Sequence, residues 1–375
     1  MTYLARSLNN RSQTDLIIMD FTKAFDSVPH NRLMLKLNHY GVRGKLNRWI
    51  ARFLMCRKQR VVVGGDYSAW TEVKSGVPQG TVLGPLLFLA FINDLPQNLH
   101  SEVRLFADDC VVYRKIQDNS DHDQLQADLD TLTQWQHEWQ LYFNPKKCFV
   151  MRVTHARSPK VFDYKLGGHL LGVTNCHSYL GVDITNNLTW RNHINRITAT
   201  ANKQLGFIRR NLFSCTKEIK QTAYIALVRP HLEYASSVWD PYHKDLVDKL
   251  EMVQRRAARF VTNDYRRSSS VSAMLNNLGW TSLKDRRTAS RVQILQKARL
   301  GLLPLPVDDL LLPPSRLSRH THCNSYRIIA TKKDCYKYSY WSRTVIGLNS
   351  LPQDISTIMN SWTQPTSRSK YLGQD

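Results

Sequence analysis

The segment Val103-Arg104-Leu105-Phe106-Ala107-Asp108-Asp109-Cys110-Val111-Val112-Tyr113 sets two adjacent aspartates between two apolar arms. That pattern predicts a β-hairpin with both acids at its tight turn. Aspartate is a common turn residue, so an isolated pair would be read as turn chemistry alone. A third acid changes the reading. The run Leu16-Ile17-Ile18-Met19 is continuously apolar, as in a strand buried on both faces, and it runs straight into Asp20. Asp20, Asp108 and Asp109 can then converge from different strands. Hard divalent cations are held by such carboxylates together with substrate phosphates, and a two-metal site with ions about 4 Å apart needs several acids.

Between the acids lies Ser75-Gly76-Val77-Pro78-Gln79-Gly80-Thr81-Val82-Leu83-Gly84-Pro85-Leu86-Leu87-Phe88, a Gly/Pro-rich turn running into an apolar helix. Its glycines let the backbone approach a ligand closely. Alone, this would be an ordinary loop and helix start. The order along the chain is more specific: Asp20-Phe21-Thr22-Lys23-Ala24-Phe25-Asp26, then Gly76 to Phe88, then Phe106-Ala107-Asp108-Asp109, then Asn144-Pro145-Lys146-Lys147, then Tyr179-Leu180-Gly181. This succession resembles motifs A to E of reverse transcriptases, and the forms around Asp20 and Asp108 resemble those of non-LTR (LINE-type) retrotransposons. The resemblance covers residues 15 to about 190. It continues more weakly through Arg229-Pro230-His231-Leu232-Glu233-Tyr234-Ala235, Val238-Trp239 and Gln254-Arg255-Arg256-Ala257-Ala258-Arg259, which look like thumb-side segments of the same elements.

The resemblance implies an α+β fold: a right-hand polymerase palm, with an antiparallel sheet and packed helices, followed by a helical thumb and a small C-terminal region. It implies an RNA-directed DNA polymerase acting on an RNA template, a DNA primer and dNTPs. Two Mg²⁺ ions would be bound by Asp20 and Asp108, with Asp109 nearby. Phe25 stands where the family places the side chain that collides with a ribose 2′-hydroxyl; packing beneath the strand is its other reading. Gln79 would lie along the incoming nucleotide, with Gly76 and Gly80 allowing close approach. Lys147, or Lys146, fits a general acid for the leaving pyrophosphate, and a solvated lysine is the competing reading. Tyr179-Leu180-Gly181-Val182 resembles the primer-grip hairpin. Only 19 residues precede Asp20, so the resemblance implies an N-terminally truncated palm lacking much of its fingers and weak or inactive by itself.

Apolar residues make up 42% of the 375 and are spread along the chain, enough for two or three domains with buried cores. The expected division is 1–189 for the palm with a remnant of fingers, 190–300 for a basic helical domain, and 301–375 for a region of unknown role. Residues 190–300 show a helical period, with Ile194, Ile197, Ala201, Leu205, Ile208 and Leu212 on one face and Leu246, Leu250, Val253, Ala257 and Phe260 on another. They also hold 21 Lys/Arg against 8 Asp/Glu, which is +13 of the formal +22. A field of that sign draws polyanions. Arg255, Arg256 and Arg259 could be a solvated helix face, but Arg196, Lys203, Arg209, Arg210, Arg266, Arg267, Arg286 and Arg287 add to the same sign. A phosphate-tracking surface follows, with Arg209, Arg210, Arg255, Arg256 and Arg259 as its foremost candidates. A non-enzymatic nucleic-acid-binding remnant of a retrotransposon is the alternative function.

No membrane partner is expected, since the longest apolar run, Val82 to Ile92, is too short to span a bilayer and reads as core. Without a signal-like leader, an intracellular location in nucleus or cytoplasm is expected. Seven scattered cysteines, none spaced Cys-x-x-Cys, suit free thiols. His320, His322, Cys323 and Cys335 lack the spacing of common structural zinc sites. Pro304, Pro306, Pro313 and Pro314 mark a linker.

Overall fold

Helix α1 (Thr2–Asn9) and strand β1 (Gln13–Asp20) open the chain and fall in different compact units. The computed structural model describes residues 1–303, 305, 307, 311–314 and 325–350. One unit comprises residues 11–180 and 185–187; the other comprises residues 1–10, 181–184 and 188 onward. The zinc candidates His320, His322 and Cys323, and the linker residues Pro304 and Pro306, lie outside the described residues. Pro313 and Pro314 have no regular secondary structure.

In the first unit, after α2 (Ala24–Ser27), α3 (His30–His39) and α4 (Gly44–Leu54), the chain runs out and back as a narrow ribbon. Its short strands are β2 (Lys58–Gln59), β3 (Val62–Val63), β4 (Asp66–Tyr67) and β5 (Thr71–Glu72). Gly64 and Gly65, at φ 60° and 97°, form its tip, as the Gly-Gly-Asp sequence predicts. Helix α5 (Leu83–Ile92) leads to the hairpin β6 (Glu102–Phe106) and β7 (Asp109–Ile116), then α6 (Asn119–Trp139) and β8 (Phe149–Val153). A small hairpin, β9 (Lys165–Leu166) with β10 (His169–Leu170), precedes β11 (Gly172–Val173) and β12 (Cys176–Tyr179).

The main sheet has the order β11-β8-β1-β7-β6. Strand β1 is central, paired antiparallel to β7 on one side and β8 on the other. Residues 13–19 are buried on whichever face they point to, which is why the sequence is continuously apolar over Leu16 to Met19. The expected antiparallel sheet is present with one difference: β11 pairs with β8 in parallel, the chain between them crossing over instead of turning back. Leu125, Leu129 and Leu132 of α6 are fully buried and join Ile17, Met19, Val112 and Val150 in one core with Phe88 and Phe91.

Among the polar side chains buried inside this unit are Asp15 and Lys36. The Asp15 carboxyl is wholly buried in β1, accepts from Tyr164 Oη (2.9 Å) and Gln13 Nε2 (2.8 Å), and is held above its ordinary range by burial. Lys36 is 3% exposed, donates to Phe91 O (2.6 Å), pairs with Asp94 and lies 3.8 Å from the Trp139 ring centroid. Burial drives its ammonium down to about 8 despite the Asp94 partner.

The apolar run Val82 to Ile92 is core on one side only. Leu87, Phe88, Phe91 and Ile92 are buried, whereas Val82 (92%), Leu86 (60%) and Leu89 (46%) are exposed. Their spacing of four and three residues places them on one helix face. Likewise Val61, Val62 and Val63 do not enter the sheet: they are exposed on the ribbon.

The second unit is helical: α7 (Arg191–Asn211), α8 (Lys217–Ala223), α9 (Arg229–Glu233), α10 (Ser236–Trp239), α11 (Lys244–Thr262), α12 (Val271–Asn277), α13 (Leu283–Arg299), α14 (Asp334–Lys337) and α15 (Tyr340–Asn349). The two predicted apolar faces of α7 and α11 are buried in a common core, with Leu212 half-buried at the end of α7. Helix α1 belongs here, with Asn9 Oδ1 accepting from the amides of Lys332 (2.6 Å) and Lys333 (3.1 Å). Among the described residues no helix is long and apolar enough to cross a membrane.

Candidate active site

The register of β1 against β7 sets Asp20 directly opposite Asp109. The β6–β7 hairpin turns through Ala107, at φ 50°, and Asp108, so Asp109 is already the first residue of its strand instead of sharing the turn. A left-handed alanine is a strained choice for that turn. All three acids are half-buried. Burial, and then the carboxylates of Asp108 and Asp20, hold the Asp109 carboxyl above its ordinary range, with His177 of β12 acting weakly the other way. The charges of Asp108 and Asp20 thus reach Asp109. Beneath it the thiols of Cys110 and Cys148 are buried; burial pushes Cys148 up to about 11 and Cys110 higher still, so neither is a nucleophile at neutral pH.

The segment after α6 clamps the end of β1. Thr22 N donates to Tyr142 O and Asn144 N to Asp20 O, each at 2.8 Å, and the rings of Phe21 and Phe143 stack at 4.2 Å. A single 3₁₀ turn, Pro145–Lys147, then delivers Lys147 Nζ to Asp20 Oδ2 at 2.8 Å. Of the two lysines open from sequence, Lys147 is the one on the carboxylate. The Asp20 hydrogen bond raises its pKa, so the ammonium stays protonated.

The glycine-rich segment is stitched to the turn after β1. Gly76 N donates to Val28 O (2.8 Å), Val77 N to Phe25 O (2.7 Å) and Ser75 Oγ to Asp26 O (2.8 Å). Gly76, at φ 87°, has no room for a Cβ, which would lie 2.7 Å from Asp26 Cα. Gly80 is also at positive φ (77°), in open space. Gln79 Nε2 donates to Asp26 Oδ1 at 3.1 Å, so this side chain is held across the two loops. Phe25 is half-buried, its ring stacked on Phe88 at 4.6 Å, one side held by the core.

Sequence reasoning missed three residues. Gly84 is indispensable in its first helical turn: a Cβ would meet Pro78 O at 2.1 Å. Asp26 anchors Gln79 and Ser75, and His177 faces the acids from β12. Only Gly84 carried a local signal, a glycine inside an apolar helix.

Among the described residues no group of three or more His, Cys, Asp or Glu is placed so that it could hold a metal ion. A hard cation at the three aspartates would draw its remaining ligands from substrate phosphates and water.

In the helical unit Arg209, Arg210, Arg255 and Arg256 are exposed on α7 and α11, with no carboxylate partner among the described residues. Arg256 Nη1 donates to Asn202 Oδ1 at 3.0 Å, and the Arg209 guanidinium lies 5.6 Å from the Tyr265 ring centroid. Arg259 is different: half-buried, it donates to the carbonyls of Asp264 (3.3 Å) and Arg266 (3.0 Å) and so ties down the loop after α11. Four of the flanking arginines are also committed elsewhere. Arg196 pairs with Asp183 (2.7 Å), Arg266 with Asp264 (2.9 Å), Arg286 with Glu233, and Arg287 is buried against Asp240 (2.7 Å). The basic face is narrower than charge counting implies.

Residues 4–184 match the sequence family described as "Reverse transcriptase (RNA-dependent DNA polymerase)". The chain is similar to the "Probable RNA-directed DNA polymerase from transposon BS" of Drosophila melanogaster, at 28% identity over 283 residues, 70% of this chain and 30% of the relative. It is similar to the "RNA-directed DNA polymerase from mobile element jockey" of Drosophila funebris, at 29% over 280 residues, again 70% and 30%. The chain thus spans 30% of the length of these relatives. Among solved structures, a telomerase from Candida tropicalis in complex with a telomeric RNA fragment aligns at TM-score 0.38 and 11% identity, covering 74% of this chain and 51% of that one. With the order of motifs, the acids facing across β1 and β7, and these relatives, residues 4–184 belong to the reverse-transcriptase family, in the company of polymerases from non-LTR mobile elements.

Proposed function

We propose that the chain is the polymerising part of a retrotransposon protein, an RNA-directed DNA polymerase that extends a DNA primer with dNTPs along an RNA template. Residues 1–189 serve as the palm except for α1, which falls in the helical unit, residues 190–300 serve as a basic thumb, and 301–375 have no assigned role. The observation that carries this reading is the register that faces Asp20 with Asp109 while the turn brings Asp108 alongside. Asp20 and Asp108, with Asp109, would hold two Mg²⁺ ions; their oxygen-only chemistry suits hard cations. Bound there, the ions would acidify the primer 3′-hydroxyl and neutralise charge on the reacting phosphate and the departing pyrophosphate.

The chain's own residues position the reactants. Gln79, steadied by Asp26, lies along the incoming nucleotide, and Gly76 and Gly80 admit its backbone. Phe25, braced by Phe88, excludes a 2′-hydroxyl. Lys147, kept protonated by Asp20, gives a proton to the leaving pyrophosphate oxygen.

Primer extension on an RNA template with Mg²⁺ tests the reading. Extension by the unaltered chain is expected to be weak, and Asp108→Ala is expected to abolish it without changing the melting temperature; extension that survives the substitution sinks the proposed site. The four exposed arginines favour a second reading, a nucleic-acid-binding protein without turnover, which predicts salt-dependent binding and no extension by either protein.

A further inference from the structure

Inside the helical unit one carboxylate faces three guanidiniums. Asp240, just after α10, pairs with Arg287 (2.7 Å) and Arg291 of α13 and with Arg343 of α15 (3.1 Å). Three cations against one anion leave two positive charges, in a cluster where the Arg287 side chain is 0% exposed and that of Arg291 6%. Arg343 also donates to the carbonyls of Asp240 (2.9 Å) and Pro241 (3.3 Å). Arg287 has no such outlet. Its Nε reaches Asp240, but both terminal nitrogens, and Arg291 Nε beside them in the cluster, are buried without an acceptor among the described residues. The other acids whose charge reaches Arg287 have donors of their own. Glu233 takes Arg286, Glu251 takes the amides of Leu283 (3.2 Å) and Lys284 (2.8 Å), and Asp285 takes the hydroxyl of Ser282 (2.7 Å).

An arginine does not relieve burial by shedding its proton. Burial and the Arg343 charge bring Arg291 down only to about 10. Buried cations with open donors are strongly unfavourable unless an anion accepts from them. Arg287 also lines a cleft of about 790 Å³, together with Ser236, Thr281, Ser290 and Gln293; its two acids are the already paired Glu233 and Asp285.

We propose that Arg287 holds a free phosphate dianion that enters from this cleft. Its two charges match the two left over. A tetrahedral oxyanion takes both terminal nitrogens of one guanidinium at once, and its remaining oxygens suit hydroxyl and amide donors. Chloride would supply one charge and no partner for the fork. A nucleic-acid strand fits poorly, because a polymer backbone cannot follow its phosphate to a guanidinium that is wholly buried. The site is independent of the carboxylates at the end of β1 and stands whether or not the chain polymerises.

Equilibrium dialysis of the full chain against labelled inorganic phosphate, in chloride that screens the surface arginines, tests the proposal. About one phosphate per chain is expected, and the melting temperature is expected to rise saturably, by about 5–10 °C at a hundred times the dissociation constant. Arg287→Lys keeps the charge but loses the fork, and is expected to weaken phosphate binding about tenfold or more. Ser290→Glu sets a carboxylate one helical turn from Arg287. It is expected to raise the melting temperature in chloride alone and to abolish phosphate uptake, a result that stands even where Arg287→Lys fails to fold. A temperature rise that never saturates and persists in both variants is salt exclusion from the surface, and overturns the proposal. So does uptake unchanged by Ser290→Glu, or displacement of the phosphate by an oligonucleotide, since the occupant is then a strand.

Discussion

At Gly84, intrinsic helix propensity and packing make opposite predictions. Replacing a helical glycine with alanine ordinarily stabilises by about 1 kcal/mol. Here the new methyl would lie 2.1 Å from a backbone oxygen, Pro78 O, which cannot swing aside as a side chain would. Overpacking of that kind costs about 1–3 kcal/mol, so Gly84→Ala is expected to lower the urea midpoint and to loosen the loop that carries Gln79. His193 offers a pH signal from the other unit. It is 1% exposed, its Nδ1 accepts from Asp183 N at 3.2 Å, and burial followed by the Arg196 charge drives its pKa down to about 4. Between pH 6.5 and 4 the unfolded chain therefore binds the proton that the folded chain refuses. The stability is complete above pH 6.5 and falls as pH drops to about 4, by about 3 kcal/mol across the window. His193→Gln is expected to remove that fall, as followed by urea unfolding at stepped pH; an unchanged acid limb would rule the histidine out.

At the scale of elements, the site is made by strand ends and the loops tied to them. Strand β1 is held on both sides as far as Ile18, and Asp20 itself is fixed by its pairing with Asp109 and by the hydrogen bond its carbonyl accepts from Asn144 N. The turn after it shares backbone hydrogen bonds with the Gly76 loop, and the segment after α6 closes over its end. Phe25 sits at this junction, stacked on Phe88 and half-buried, so packing in the core does not exclude the role proposed for it. Phe25→Val is expected to admit ribonucleotides in primer extension while costing about 1–2 kcal/mol of stability from the lost aromatic pair and area. Loss of stability with unaltered sugar discrimination would mark Phe25 as core alone. The hairpin β6–β7, the apolar arms and the helix after Pro85 are legible in sequence because their signals are local. Exposure of Val61–Val63, Leu86 and Leu89 is not, since an apolar residue carries no mark of what covers it.

Across the whole molecule, a formal charge of +22 sets the long-range field, but pairing decides where that field can be used. Asp240 alone gathers Arg287, Arg291 and Arg343 within the helical unit. Arg209, Arg210, Arg255 and Arg256 stay in solvent. Converting these four to glutamine is expected to reduce the salt slope of duplex binding by about 3–4, near 0.9 for each phosphate no longer neutralised. Filter binding across salt concentrations measures it, and an unaltered slope would place the duplex elsewhere.

The sequence by itself determined the order of the segments that meet around Asp20 and the kind of unit that carries them. Asp20, Asp108, Asp109 and the order of segments around them are visible in the linear chain, and strand and helix periods depend on near neighbours. Tertiary structure alone decided that Lys147 meets Asp20, that Gln79 rests on Asp26, that Gly84 admits no side chain, and which arginines are free. Those facts join residues up to 127 positions apart. Strand register, loop closure and core packing bring such partners together, and none of these leaves a periodic trace in the residues concerned.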